Sequence, residues 1–378
     1  MSTNPLMRHP ARHLPRLCLL LAALALGGCA SLEGARSDAK ATLVERTQAM
    51  SQPQRLATRY TAALEQFGRM LEVYRADAKS PLYVQSRAIT DSTGLSHPLV
   101  GSELPNDITE MVRSAINRIG ERVVYVPFHP DYVLGHAQQG AKLQVTLPNV
   151  LVTGAITEFD RALASAGRGN DLGVFFGKGR GETDAAASRK ATSTISRLSV
   201  DFNLVDFQTQ TMLPRIQTTN SMRVLNEGHE DAFDFAIYGN GFGVTSNTRY
   251  LQGRHNAIRL LVDLSILQLL GRHANVPYWR CIPGAQADPV VLQRIAKRHQ
   301  ANDAATKVKW LQDTLKDYGF ALEVNGRMDE RTRSALDSAI SLLKLPRPVD
   351  LLDAELFTSI YINVPVEPVQ RVQPARAL

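Results

Sequence analysis

Cys29 is the residue with the clearest chemical setting, because it closes the segment Leu26-Gly27-Gly28-Cys29. A signal peptidase needs small residues on the amino side of its cut, and a lipid-transfer enzyme needs a thiol to alkylate. Upstream, three arginines form a basic region, and the apolar run Leu17–Leu26 is too short to span a bilayer as a helix. The pattern predicts a lipoprotein precursor that is cut before Cys29 and lipidated there. The alternative is an ordinary signal peptide that happens to contain this cysteine.

Ala30 bears on the membrane to which the lipid would attach. An inner-membrane lipoprotein typically carries Asp here as a retention signal, so the sequence favours the outer membrane, with the folded domains in the periplasm. Several acyl chains anchor a protein firmly, whereas one binds weakly. Once Cys18 leaves with the signal and Cys29 is acylated, Cys281 is the remaining thiol. An intrachain disulfide is therefore excluded, and Cys281 is expected to be a small buried hydrophobe.

The composition bounds the class of protein. The chain has 378 residues, of which 44% are hydrophobic and 21% charged, which predicts a globular protein with room for two or three domains. Its formal charge is +7, part of which leaves with the signal, and no basic run is interleaved with aromatic residues. These features argue against nucleic acid as a partner and suit a surface that faces anionic lipid or cell-wall polymer.

The sequence contains no motif that would carry catalysis or bind a cofactor. Neither Gly177–Gly181 nor Gly239–Gly243 has both a strand before it and a helix after it, as a phosphate loop requires. His129 and His136 lack the spacing of a zinc protease, and there is no nucleophile elbow. The sequence therefore predicts no cofactor, no metal and no enzymatic activity. Glycines that alternate with aromatic residues fit the wall of a curved sheet better.

Helical and strand patterns alternate along the chain. Gln54–Ala78 has apolar residues at helical spacing, and Asn106 or Asp107 caps a second helix, with Glu110 completing a capping box. Ser196–Leu204 alternates as a half-buried strand does. Further elements are strands at Leu82–Ile89, Val123–Phe128 and Val150–Ile156 and a long helix at Leu251–Leu270. Together they predict an α+β fold, in which an α/β core carries long antiparallel hairpins.

Residues from about 82 to 282 resemble the curli-secretion channel family (CsgG type) of outer-membrane lipoproteins. The matching stretches occur in the family's order and are Asp91–Gly94, the helix after Pro105, Pro148–Ile156, Val174–Gly177, Leu198–Asp206 and Gly243–Asn247. The resemblance covers a little over half of the chain.

The resemblance implies a ring of lipoproteins in which each subunit gives two hairpins to one shared β-barrel. A lone hairpin would leave unpaired edges in the bilayer, so the barrel must close between copies. Four strands per chain in the largest known barrel, of about 36 strands, imply about nine copies. The hairpins would be Arg161–Ala191 and Ser221–Arg249, with transmembrane positions that include Phe175, Phe176, Phe233, Phe235 and Ile237.

Members of this family pass unfolded polypeptide through a narrow waist built from one loop per subunit. In register, that loop is Ser96–Leu104, and its constriction residues would be Leu99, Ser102 and Glu103. The loop departs from the family pattern, because it is shorter and lacks the aromatic and amide residues of the family's waist. The alternative is a solvent loop away from the axis of the ring.

Residues 305–362 resemble a peptidoglycan-binding type 1 domain. A Leu-Gln pair in the first helix and the pattern Gly-x-x-Asp-x-x-Thr at the next turn match that family. The resemblance implies peptidoglycan contacts at Leu311, Gln312, Gly326, Asp329 and Thr332. The Phe-Gln of the family's later helix is replaced by Ala339 and Ile340. From its residues alone, the segment is a three-helix module with a core of Leu311, Leu315 and Leu336.

These patterns predict six segments along the chain. They are a lipoprotein signal peptide (1–28), a lipid-anchored tether and helix (29–80), a CsgG-like channel domain (81–282), a linker (283–304), a peptidoglycan-binding-like domain (305–362) and a disordered tail (363–378). The predicted function is an oligomeric outer-membrane pore that exports an extracellular polypeptide of amyloid or adhesin type and is anchored to peptidoglycan. One alternative is a wall-linked anchor for a surface appendage or holdfast without transport. Another is an accessory in peptidoglycan processing.

Overall fold

A mixed sheet of eight strands is the centre of the fold. The computed structural model of the protein describes residues 58–76, 78–97, 104–140, 143–167, 192–227, 234–239, 248–249 and 254–366. All of them lie in the second of the two units into which the chain divides, Thr58–Leu378. The strands are β1 (Leu82–Ser86), β2 (Thr90–Asp91), β3 (Val123–Tyr125), β4 (Val150–Gly167), β5 (Thr192–Asp206), β6 (Met212–Glu227), β7 (Asp234–Gly239) and β8 (Thr248–Arg249).

Parallel and antiparallel pairing meet in this sheet. Its spatial order is β3-β1-β4-β5-β6-β7-β8, and β2 lies beside β4. β1 pairs in parallel with β3 and β4, and β2 also pairs in parallel with β4. β5, β6, β7 and β8 each pair antiparallel with the strand that precedes them in the sequence. Consecutive antiparallel strands need only short connections, whereas the parallel strands require crossovers.

Eight α-helices belong to the described residues. They are α1 (Arg59–Tyr74), α2 (Thr109–Asn117), α3 (Pro130–Gln138), α4 (Arg254–Ala274), α5 (Pro289–Ala301), α6 (Ala304–Asp317), α7 (Glu330–Leu342) and α8 (Ala354–Ile362). A short 3₁₀ helix, Tyr278–Cys281, follows α4. In this part of the chain no helix is long and apolar enough to cross a membrane.

α4 is buried along most of its length, because it packs against β5, β6, α1 and α2. Polar side chains on such a helix need internal partners. Asp263 accepts a hydrogen bond from Thr58 Oγ1 at 2.6 Å. Asn220 of β6 donates to Ser265 and to Gln268, both at 2.8 Å. Polar contacts therefore fix the position of α4 along the sheet and along α1.

The packing of α1 on the segment that follows α2 leaves no room at Gly68. A β-carbon at this position would lie 1.7 Å from the Ile119 carbonyl oxygen. We expect Gly68→Ala to lower the free energy of unfolding by about 2 kcal/mol, because overpacking outweighs the better helix propensity of alanine. Urea denaturation would measure this loss.

Gly135 in α3 is a matched control for this substitution. It also lies within a helix, but a β-carbon there would meet nothing within 4 Å. Gly135→Ala should be neutral or stabilising by up to about 1 kcal/mol. Equal stabilities for the two variants would contradict the close approach of α1 to Ile119.

The α+β class predicted from the sequence is confirmed, and several elements differ in extent. β4 runs to Gly167, well past the predicted end at Ile156, because the mainly apolar run ends there while the strand continues through a segment of mixed polar and apolar residues. The range 283–304, predicted as a linker, contains α5. Asp288 accepts a hydrogen bond from the Val290 amide at the start of this helix, and Val291 and Ile295 lie on its buried face.

The start of α2 also differs from the prediction. Asp107 accepts a hydrogen bond from the Thr109 amide at 2.6 Å, as a capping residue does. Glu110, however, pairs with Arg113 at 2.5 Å instead of completing the predicted capping box. The helix begins at Thr109, and Ile108 before it is buried.

Candidate functional site

β4, β5 and β6 continue well past a row of paired residues, Ile156, Val200 and Asn220, that are all buried. β4 has 18 residues, which corresponds to about 60 Å at the usual rise per residue. Ile156 is fully buried, whereas Thr157 and Asp160 are exposed. The pairing of β4 with β5 nevertheless continues to Gly167 and Thr192, with register shifts after Ile156 and after Asp160. The part of the strands beyond this row is called the stem here and consists of residues 157–167, 192–199, 221–227 and 234–239; Leu198, Ser199 and Met222 at its base are buried.

The stem overlaps the two predicted hairpins in part: residues 161–167 belong to the first and residues 221–227 and 234–239 to the second, whereas residues 192–199 of β5 follow the predicted end of the first. Gly167 pairs with Thr192 in the first, and β6 pairs with β7 in the second, so both bases are antiparallel. Phe235 lies opposite Val224, and Ile237 lies two positions further along β7. The other three residues predicted to be transmembrane lie outside the described residues; they are Phe175, Phe176 and Phe233.

The predicted constriction loop is held at both of its ends. Asp91 accepts hydrogen bonds from the Thr93 and Ser96 amides at 2.8 and 2.9 Å, and its own amide donates to the Asn106 carbonyl at 3.1 Å. Burial raises the pKa of Asp91, but the hydrogen bonds from Thr93 and Ser96 outweigh it and lower the pKa overall. The predicted constriction residues lie outside the described residues; they are Leu99, Ser102 and Glu103.

An uncovered apolar segment follows the edge strand β3. The helix α3 has no buried residue. Phe128, Tyr132, Leu134 and Leu147 are each between 59% and 64% exposed. Exposed large apolar side chains mark a surface that binds another protein where they form one contiguous patch. This segment was not predicted from the sequence, although the apolar residues between Phe128 and Leu147 could have indicated it.

Gln312 organises the turn between α6 and α7. The side chain is fully buried, and its Nε2 lies 3.0 Å from Asn325 Oδ1, 3.0 Å from the Arg327 carbonyl and 2.9 Å from Thr332 Oγ1. Its Oε1 accepts hydrogen bonds from the Asn325 and Gly326 amides at 3.0 and 2.9 Å. The amide group thus meets backbone and side-chain partners on all sides.

Most of the residues predicted to contact peptidoglycan meet at this turn. Asp329 caps α7 and accepts a hydrogen bond from the Thr332 amide at 2.8 Å. Hydrogen bonds from Thr332 lower the pKa of Asp329, so its carboxylate stays charged. Gly326 has a φ of +74°, which favours glycine, and Leu311 is buried in the core. The structure therefore brings four of the five residues together and places Leu311 elsewhere.

Aromatic side chains join α5 to α6 and α8. The ring of His299 stacks on Phe357, with centroids 4.4 Å apart, and Phe357 lies equally close to Trp310. Arg298 lies over the Trp310 ring, 5.0 Å from its centroid. Both ring nitrogens of His299 are buried and have no hydrogen-bond partner among the described residues. α5 is therefore packed on the C-terminal helices and is not a free connection to them.

His299 makes the stability of this contact depend on pH. Burial and the nearby Lys307 lower its pKa below the usual 6.5, while Asp353 and Asp350 oppose this shift. As the pH falls below about 6.5, the unfolded chain takes up a proton that the folded chain resists, so stability decreases. We expect His299→Phe to lose less stability than the wild type between pH 7 and pH 5, as measured by urea denaturation. Parallel pH profiles would contradict this prediction.

The cysteines and histidines singled out in the sequence form no metal-binding cluster in the described part of the chain. Cys281 is buried, as predicted, and burial raises the pKa of its thiol to about 12. His129 is exposed, and His136 Nδ1 lies 2.8 Å from the Tyr132 carbonyl. No three potential metal ligands cluster within the described ranges. Cys29 lies outside these ranges.

Comparisons with known proteins add little. The chain matches no protein-family model, and no curated protein matches it. Among solved structures, it is similar to a neuraminyllactose-binding hemagglutinin homolog from Helicobacter pylori, with 12% sequence identity and a TM-score of 0.19. The match covers 52% of this chain and 84% of that one. At this TM-score the similarity carries no argument about fold or function.

Proposed function

We propose that the chain is one subunit of a homo-oligomeric outer-membrane lipoprotein pore. In this proposal, lipid on Cys29 anchors the subunit, the pore exports an extracellular polypeptide, and the C-terminal helices hold peptidoglycan. The observation that carries the proposal is the stem, in which two neighbouring antiparallel hairpin bases leave the same end of one sheet.

The open edges of the stem favour assembly between copies. Beyond Ile156, β4 pairs with β5 on one edge and has no partner strand on the other edge within the described residues. Unpaired backbone groups cost several kcal/mol each, by rough estimate, in lipid. A second copy that pairs with this edge removes the cost, and a closed ring removes it for every copy.

The uncovered apolar segment supports the same assembly. It follows β3, which is the edge strand at the opposite end of the sheet from β8. A ring needs a different contact surface on each side of a subunit, because its interfaces are head-to-tail. Phe128, Tyr132, Leu134 and Leu147 would supply an apolar contact on the β3 side, in the region outside the membrane.

The size and the conductance of the purified protein test this proposal. In mild detergent we expect a large closed ring in electron micrographs, and ion conductance after insertion into a planar bilayer. A matched control replaces residues 168–191 by an Asn-Gly turn, which keeps the paired bases of β4 and β5. We expect this variant to remain folded and to lose conductance.

The two measurements also separate the proposal from its rivals. A folded, monodisperse monomer would contradict the shared barrel. A closed ring that conducts no ions would favour a wall-linked anchor for a surface appendage instead of a pore.

A further inference from the structure

α5 carries a stripe of cations that no carboxylate neutralises. Arg294, Lys297 and Arg298 recur at helical spacing and therefore share one face, and α5 contains no acidic residue. Within the described residues, none of the three forms an ion pair. Like charges at this spacing destabilise a helix. An anion bound along the stripe would offset the repulsion.

A fourth cation reaches this stripe from the sheet. The pairing of β5 with β6 shifts between Asn203 and Val205, and the irregular part of β6 contains Arg215 with a φ of +60°. The guanidinium of Arg215 donates to Gln293 Oε1 of α5 at 2.9 Å. A residue with a side chain adopts this backbone conformation only with strain, and such strain is typical of functional sites.

The four cations line a groove of about 800 Å³ between β6, the end of α4 and α5. Asn275 belongs to its lining, also with positive φ, and its Oδ1 is buried without a hydrogen-bond partner in the described part of the chain. No acidic residue is among the described residues that line the groove. We call it the cationic groove; its key residues are Arg215, Asn275, Arg294, Lys297 and Arg298.

The cationic groove continues into a second cavity. Asn275 and Arg298 line both. The second cavity, of about 500 Å³, is also lined by Trp310, Tyr361 and Lys316 and by the carboxylates of Asp313 and Asp317, so the acid-free lining is confined to the cationic groove. Together, the two adjoining cavities are larger than a single small anion needs. Aromatic rings beside polar groups suit sugar rings, which have apolar faces and hydroxyl edges.

We infer that the cationic groove binds an anionic polysaccharide. Carboxylates of the polymer would pair with the four cations, and a hydroxyl group would donate to Asn275 Oδ1. A membrane surface fits less well, because a plane of headgroups does not enter a concave groove. The inference deepens the proposed function and rests on it only for the source of the glycan, which would be the cell wall.

Binding of defined polymers to the full-length protein tests the inference. The probes are polygalacturonate, which is anionic, uncharged dextran, and purified sacculi. We expect polygalacturonate to bind and dextran not to bind. In the triple variant Arg294→Gln, Lys297→Gln, Arg298→Gln, affinity for polygalacturonate should fall about tenfold, as three lost surface charge pairs imply.

Two further variants control for the loss of total charge and for misfolding of the triple variant. The control Arg69→Gln, Lys79→Gln, Lys344→Gln removes the same charge from exposed positions outside both cavities and should leave binding unchanged. Lys297→Glu changes one exposed side chain and should weaken binding even if the triple variant folds poorly. Equal affinities of the groove variants and the control for polygalacturonate would overturn the inference. Anionic lipid vesicles are a further probe, and the inference would also be overturned if the groove variants lost binding to the vesicles but kept binding to polygalacturonate.

Sacculi separate this inference from the proposed function. If the wild type binds both sacculi and polygalacturonate and the groove variants lose both, the groove and the wall attachment are supported together. If the wild type binds polygalacturonate through the groove but does not bind sacculi, the groove stands and the wall attachment fails. If sacculi bind equally to the wild type and to the groove variants, the wall contact lies elsewhere and the groove is not its site.

Discussion

Asp288→Ala should lower the free energy of unfolding by about 4 kcal/mol, the largest effect we expect from one substitution. The Asp288 carboxylate is almost fully buried, where it accepts hydrogen bonds from Arg272 Nε at 2.7 Å and from the Tyr278 hydroxyl. Removing it leaves the charge of Arg272 without its partner and also removes the cap of α5. Urea denaturation followed by the fluorescence of the adjacent Trp279 would measure the loss.

Asp303 provides a matched control, because it is also an aspartate that caps a helix. It accepts a hydrogen bond from the Thr306 amide at 2.7 Å at the start of α6, but it is exposed and has no ion pair in the described part of the chain. Asp303→Ala should therefore cost only about 1 kcal/mol. Similar losses in both variants would mean that the cap, and not the buried ion pair, accounts for the effect of Asp288→Ala.

Gln312→Ala should cost about 3 kcal/mol, because a buried donor or acceptor that loses its partner keeps the cost of its desolvation. The substitution would leave the Asn325 and Gly326 amides and the Thr332 hydroxyl without the side chain that they contact. Denaturation followed by the fluorescence of Trp310, which lies in the same helix, would report this loss.

Gln300 on α5 is a suitable control for Gln312. Its side chain is exposed, and Gln300→Ala should change stability by less than about 0.5 kcal/mol. A Gln312→Ala variant as stable as Gln300→Ala would show that the turn does not depend on the buried amide.

The buried elements were predictable because their apolar residues repeat with a period. Tyr60, Leu64 and Phe67 mark one face of α1, and Leu198 and Val200 alternate along β5 with polar neighbours, and all five are buried. Such periods report which face is buried. They do not show how far a strand continues beyond the helices that pack on it, which is why β4 was predicted to end at Ile156.

The cationic groove was not predictable for a different reason. Arg294, Lys297 and Arg298 show helical spacing in the sequence, but this range was predicted as a linker. Arg215 lies beside them only because the pairing of β5 with β6 is irregular at this point, and no local sequence pattern predicts that irregularity. The role of Gln312 is similar, since a motif singles it out while only the fold shows that its amide is enclosed.

The pairing of β4 with β5 continues from the core to Gly167, with register shifts after Ile156 and after Asp160, so a movement of the core can be passed along β4. Eleven residues, 157–167, continue the strand past the fully buried Ile156, which corresponds to about 36 Å. A tilt of the sheet by roughly 5° at Ile156 would then displace the far end by about 3 Å. Gly154 sits near the pivot, where a β-carbon would collide with the Asp201 carbonyl of β5. A small repacking at this pivot would therefore change the geometry at the distant end without touching a residue there.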